Sequence, residues 1–357
     1  MSNIPKLRFP EFSGEWEKSE LGKFTQEITR VNPNSDAPIM MISAANGFIL
    51  QSNKYSKEMT GQSLKKYIEL HAGEFAYNHG ASKLKKYGAC FCLDLDKARI
   101  PFVYHCFKLT EGNTKFFSYL LNRTQLDSEL ARYISSSARM DGLLNISYTD
   151  YMKINISIPT HAEQQKIADF LSNVDSIITT ETKILNTLQK KKKALMQKLF
   201  TQQLRFKSDD GTDFPAWEEK KLITEFPFIR NGFVGVVTDF FTTEIDGIKY
   251  IEGTNIHDGK ISSSINLFVT KEFHNTHKNS QLKENDILMV QSGHVGETAV
   301  VPKELENSNC HALIIMSNEG NCSSEYVNYY FQSNKGKKQL SILTTGSTIK
   351  HILASDM

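Results

Sequence analysis

Pro159-Thr160-His161-Ala162-Glu163-Gln164-Gln165-Lys166-Ile167-Ala168-Asp169-Phe170-Leu171 opens the stretch whose reading decides the fold. A threonine directly after proline, with glutamate three residues on, has the spacing of a capping box, so a helix is expected to start here. From there a four-and-three step runs through Ile167, Leu171, Val174, Ile178, Glu181, Leu185, Leu188, Lys192, Leu195 and Leu199. Only Glu181 and Lys192 break the apolar series, which makes it a coiled-coil seam rather than the stripe of an ordinary three-turn helix. At 1.5 Å per residue, such a helix is a rod roughly 60 Å long. Its seam needs a partner helix, and no other stretch has comparable length and pattern.

Outward from the rod, the two flanks repeat each other. The chain has two tryptophans, and both read Trp-Glu-x-x-x-Leu after a Phe-Pro segment: Trp16-Glu17 through Leu21 and Trp217-Glu218 through Leu222, an offset of 201. Leu70-His71-Ala72-Gly73-Glu74-Phe75-Ala76-Tyr77 aligns with Leu282-Lys283-Glu284-Asn285-Asp286-Ile287-Leu288-Met289 at an offset of 212, and Asn145-Ile146 with His351-Ile352 at 206. Three matches in one order mark a diverged duplication. The expected organisation is a first unit at 1–158, a central helical region at 159–203 and a second unit at 204–357. The second copy stops at Ser355-Asp356-Met357, where its own strand and long helix would follow, so a distal helical region is expected to be missing. Short β-type runs such as Phe102 to Phe107 and Leu313 to Met316, mixed with helical patches, make each unit α+β.

Composition narrows the function classes. The 357 residues hold 42 Lys+Arg against 40 Asp+Glu, a formal net charge of +2, so any nucleic-acid contact must come from local patches rather than a global basic field. Cys90, Cys92, Cys106, Cys310 and Cys322 are an odd number without a leader segment, so a reducing cytoplasm is expected and a secreted disulfide scaffold is not. No apolar run is long enough for a membrane span.

Catalytic motifs come close and miss. Gly253-Thr254-Asn255-Ile256-His257-Asp258-Gly259-Lys260 has five residues between its glycines instead of the four of a phosphate loop, and Ile261 stands where a Mg²⁺-binding hydroxyl is needed. Asn32-Pro33-Asn34-Ser35 lacks the second proline and the aromatic that would grip a flipped base, and reads as a turn. Cys90-x-Cys92 with His105-Cys106 lacks zinc-knuckle spacing, so buried structural cysteines are expected, with no metal and no cofactor. DNA contact calls instead for loops rich in small, polar and basic residues. The candidates are Asn78, His79, Ser82, Lys83, Lys85 and Lys86, with Ser136 and Arg139, in the first unit. In the second they are Gln291, Ser292 and His294, with Thr345, Ser347 and Lys350. The run Lys190 to Lys193 reads as a wet helix face.

A unit ending in Ile154-Asn155-Ile156-Ser157-Ile158-Pro159, then Glu163-Gln164-Gln165-Lys166-Ile167, then a long helix closing in Leu195-Met196-Gln197-Lys198-Leu199-Phe200, resembles the specificity subunit of type I restriction-modification systems. The resemblance spans essentially the whole chain. It implies two α/β target-recognition domains separated by a coiled-coil helix, a bipartite asymmetric double-stranded DNA target, and no catalysis by the chain itself. It also implies partners docked on the helical spacer: adenine methyltransferase (modification) subunits and restriction/translocase subunits. A second reading keeps the same architecture but makes the chain a coiled-coil adaptor binding proteins; competition with random DNA separates the two.

Overall fold

A computed structural model describes residues 4–54, 62–80, 82–134, 144–318, 322–346 and 350–357. The chain divides into two compact units, Met1–Thr182 and Lys183–Met357, and the division falls inside the long helix.

In the first unit an antiparallel sheet runs in the order Thr25–Glu27, His105–Leu109, Phe75–Asn78, Ala89–Cys92. Alternation along the central Phe75–Asn78 strand sends Phe75 and Tyr77 into one core with Leu21, Phe107 and Tyr151, while Ala76 faces a second core with Leu70, Ile100 and Cys106. Both faces are covered, so the run is buried without a polar side. A helix, Thr114–Leu120, follows the sheet, and Asn113 caps it by accepting the Phe116 N–H.

The second unit rebuilds this plan. Its sheet runs Phe228–Asn231, Leu313–Ser317, Ile287–Val290, Thr298–Val300, the same order by position along the chain. Ile287 and Met289 enter one core while Leu288 and Val290 enter the other. Ser324–Gln332 follows, capped by Ser323 on the Tyr326 N–H. The offset of 212 read from sequence therefore places Phe75 and Ile287 at the same point of the same sheet.

The long helix spans His161–Phe200, 40 residues without a break. Its capping box forms only by half. The Thr160 hydroxyl accepts the Glu163 N–H at 3.4 Å, but the Glu163 carboxylate turns away. It takes Arg8 Nε and Nη2 at 2.8 and 2.6 Å and the Trp16 indole N–H at 3.2 Å. A bidentate guanidinium outcompetes one backbone N–H for a carboxylate that is fully buried. Gln164 completes the anchor, accepting the Asn113 N–H at 2.9 Å and donating to the Pro159 carbonyl at 3.0 Å. Along the seam, Ile167, Leu171 and Leu199 are half-buried, whereas Val174, Ile178, Leu185, Leu188 and Leu195 are 37–57% exposed.

The near-miss motifs resolve into ordinary turns. Ile256–His257 and Lys260–Ile261 form a hairpin across Asp258 and Gly259, both at positive φ, so the glycine serves a tight turn. Asn32 accepts the Asn34 N–H through its own side chain, an Asx turn. Cys90, Cys106 and Cys310 are buried free thiols and Cys92 and Cys322 half-buried ones.

Candidate nucleic-acid interface

In the second unit the two predicted loops meet. The Ile287–Val290 strand runs into Gln291, and the chain turns back through Gly293 and Gly296, both at positive φ. The Gly296 N–H closes that turn on the Val290 carbonyl at 3.0 Å. The segment after the last helix then folds against it: the Ile352 N–H donates to the Gln291 carbonyl at 3.0 Å, and Ser292 bridges to His351. His351 and Thr345 exchange both backbone hydrogen bonds at 2.9 Å, and their side chains meet at 3.1 Å, Oγ1 to Nε2. Ser292, His294, Thr345 and Lys350 stand exposed around this small ladder, offering hydroxyl, imidazole and ammonium groups to one patch of solvent. Gln291 is half-buried, with an Oε1 that has no hydrogen-bond partner among the described residues. His351 was not among the expected contact residues; its place opposite both loops depends on a pairing no local pattern records. Ser347 lies outside the described residues.

The first unit uses the same joint. Here the Leu144 N–H donates to the His79 carbonyl at 2.8 Å, and His79 is the position matched to Gln291 by the 212 offset. The partner is thus Leu144 rather than the aligned Ile146, a two-residue slip. Ile146 is engaged otherwise, accepting His105 Nε2 at 3.0 Å.

Three first-unit candidates change character. His79 is only 5% exposed, and its ring nitrogens face the Leu144 and Val103 carbonyls at 2.8 and 2.9 Å. It is a structural pin for the returning segment, not a base reader. Asn78 donates to the Ile42 carbonyl at 3.3 Å and accepts the Gly80 N–H at 3.0 Å, so its amide is spent on the scaffold. Lys85 reaches the Asn122 carbonyl at 2.6 Å, which removes it from the free cations. Ser82 folds its own turn, accepting the Lys85 N–H at 3.0 Å, and stays exposed with Lys83 and Lys86. Lys86 lies 5.3 Å from the Tyr87 ring centre. Ser136 and Arg139 lie outside the described residues. On the helix, Lys190 to Lys193 are exposed, and Lys192 sits 5.2 Å over the Tyr329 ring.

Residues 96–190 match the type I restriction modification DNA specificity domain. That segment is therefore similar to a DNA specificity domain of the kind used by type I restriction systems. It is 24% identical over 99% of its length to a putative type I restriction enzyme MjaX specificity subunit of Methanocaldococcus jannaschii, covering 84% of that protein. It is 29% identical over 44% of its length to the MjaVIII specificity subunit of the same organism, a match that spans 37% of that relative. The HsdS subunit of Thermoanaerobacter tengcongensis superposes with a TM-score of 0.43 and 14% identity, over 99% of this chain and 87% of that one. The family model and the relatives alike make the chain similar to the specificity subunits of type I restriction-modification systems. Among the described residues no helix is long and apolar enough to cross a membrane.

Proposed function

We propose that this chain is the sequence reader of a type I restriction-modification assembly, with the unit at 1–158 and the unit at 204–357 each reading one half of a bipartite, asymmetric double-stranded DNA target. One observation carries the reading. The same end of the same central strand leads out through His79-Gly80 in one unit and Gln291-Ser292 in the other, so a common scaffold feeds loops that differ in sequence and carry their own exposed polar groups. Base edges are told apart by short polar and planar groups of this kind. Ser82, Lys83 and Lys86 would serve the first half-site, and Ser292, His294, Thr345 and Lys350 the second, with lysines on phosphates and hydroxyl or imidazole groups on bases.

The exposed seam from Val174 to Leu195 supports the central helix, residues 159–203, as the docking element for methyltransferase and restriction subunits and as the ruler between half-sites. The chain itself performs no bond chemistry in this scheme. The setting is the cytoplasm, where five free thiols persist.

Methylome sequencing of cells carrying this chain with a modification subunit tests the proposal. A single interrupted motif should be methylated, and the chain purified alone should methylate nothing. Methylation without a motif, or a motif unchanged when this chain is replaced by a relative, would refute it.

A further inference from the structure

We propose that Val234 and Val236 read a thymine in the second half-site, packing against the C5-methyl group that this base alone shows in the major groove. The inference rests on the reading of the second unit as a DNA reader. It adds a segment, Phe233 to Val237, that carries no hydrogen-bonding side chain.

Sheet register brings this segment to the end of the sheet where Gln291 begins its loop. Asn231 pairs with Ile314, the Gly232 N–H donates to the Leu313 carbonyl at 2.7 Å, and Leu313 pairs with Val290. Gly232 and Val290 are therefore level and two strands apart, about 10 Å at the usual strand spacing of about 4.8 Å. Their strands run in the same direction, because each is antiparallel to the one between them. Phe233 thus leaves the sheet at the same end as Gln291, the end where Ser292, His294, Thr345 and Lys350 stand exposed.

The segment is anchored on both sides and open between. The Phe233 N–H donates to the Cys310 carbonyl at 3.0 Å, and the Phe233 carbonyl accepts the Ala312 N–H at 2.9 Å. Its ring stands edge-on to Phe273 and His277 at 4.9 and 4.7 Å. Val237 is buried in a core with Tyr250, Val269 and Phe273. Between these anchors Val234 and Val236 are 65% and 78% exposed. Gly235 keeps the turn tight, since a Cβ there would stand 3.0 Å from the Phe233 ring. A slack loop would fold such side chains away from water, so their exposure is imposed by the anchors. Branching at Cβ leaves valine few rotamers to lose when a partner covers it.

The chemistry selects that partner. Valine offers neither donor nor acceptor, so it cannot read the polar edges of the bases, and the thymine methyl is the apolar group the major groove presents. A protein does not fit, because two valines fall far short of the roughly 800 Å² that one side of a standard interface covers. The first unit supplies the contrast. Glu27 and Ile229 hold the same place in their sheets, opposite Phe107 with Phe75 and opposite Met316 with Ile287. Counting on from them, Asn32 and Asn34 match Val234 and Val236. Asn32 accepts the Asn34 N–H and donates to Glu69 at 3.2 Å, so that loop holds a polar turn where the second unit holds out its valines.

The test is selection from randomised duplex DNA by the full-length chain assembled with a modification subunit. One library is made with dTTP and the other with dUTP, which keeps every pairing edge and removes only the C5-methyl group. The second half-site is the half that persists when residues 1–158 are exchanged for those of a relative. With dTTP it should contain a thymine, and with dUTP the preference at that position should weaken about fourfold, the size of one buried methyl group. A chain carrying both Val234→Ala and Val236→Ala should treat the two libraries alike there. It should still select the parent's first half-site, which shows that the variant is folded. The same second half-site at equal strength from both libraries, a methyl dependence that survives the double variant, or a methyl dependence confined to the first half-site would overturn the proposal. No motif from either library would sink the DNA-reading proposal and this one with it, so the two failures are told apart.

Discussion

Arg8 and Arg205 begin in the same local plan, each clasping two carbonyls just before a tryptophan, and end in opposite surroundings. Arg8 closes on Glu163, whose side chain is 1% exposed, and the pair staples the start of the long helix to the first unit. Arg205 stays at the rim of an open apolar cleft. The duplication repeats the arginine and the tryptophan but not the carboxylate, so one copy shows a closed internal joint and the other the same parts without an ion-pair partner among the described residues. The recognition loops follow the opposite rule. Their backbone joint is common to both units, through the carbonyls of His79 and Gln291, while the side chains around it differ. Scaffold similarity with loop divergence is what a two-reader protein requires.

The largest effect expected comes from exchanging residues 1–158 for the same unit of a relative. The first half-site should be replaced outright and the second left intact, as read by methylome sequencing. Scrambling of both half-sites would break the comparison between the units at its root.

Next in size is the contrast between the arginines. Arg8→Ala leaves a buried carboxylate uncompensated and should destabilise the first unit by about 3–5 kcal/mol, whereas Arg205→Ala should fall within about 0.5 kcal/mol of the parent. Urea unfolding with hydrogen exchange resolved by unit checks this; equal losses would mean that the two sites are not the open and closed forms of one joint.

Within the second reader, Thr345→Val should relax one base position at a cost of about 1–3 kcal/mol, while Lys350→Ala should weaken every sequence and lower the salt slope by about one. Binding measured against a panel of targets at several salt concentrations separates those behaviours. A lysine variant that altered one base alone would reverse the assignment.

The smallest effect concerns pH and the first unit alone. Burial holds the His105 imidazole below its ordinary value of 6.5, against the raising effect of its bond to the Ile146 carbonyl and with a further push downward from His79, whose ring stacks 5.0 Å away. Tyr77, Tyr148 and Tyr151 close the rest of its surroundings. A base held low in the fold takes up its proton more readily in the unfolded chain. Its contribution to stability is therefore full above about pH 6.5 and declines as pH drops from there toward the folded value. His105→Gln should flatten the fall in unfolding midpoint between pH 7.5 and 5.5; an unchanged fall would assign the acid sensitivity elsewhere.

The long helix and the duplication were legible in the residues themselves, because both are written in short-range or exactly repeated signals. The four-and-three step from Ile167 to Leu199 follows from 3.6 residues per turn, and the paired Trp-Glu-x-x-x-Leu segments need only counting. The 212 offset even set Phe75 and Ile287 at the same sheet position. What the tertiary structure alone decided lies in contacts between residues far apart in the chain. A box-like Thr160 and Glu163 predicted a local cap, yet Arg8, 155 residues away, claimed the carboxylate because a buried charge takes the strongest donors within reach. His79 looked like a polar loop residue until two distant carbonyls enclosed it. Ser292, Thr345 and His351 came together through backbone pairing across nearly 60 residues. Periodicity reports which face of an element is apolar, but which polar atoms meet is set by chain closure, and that depends on the whole fold at once.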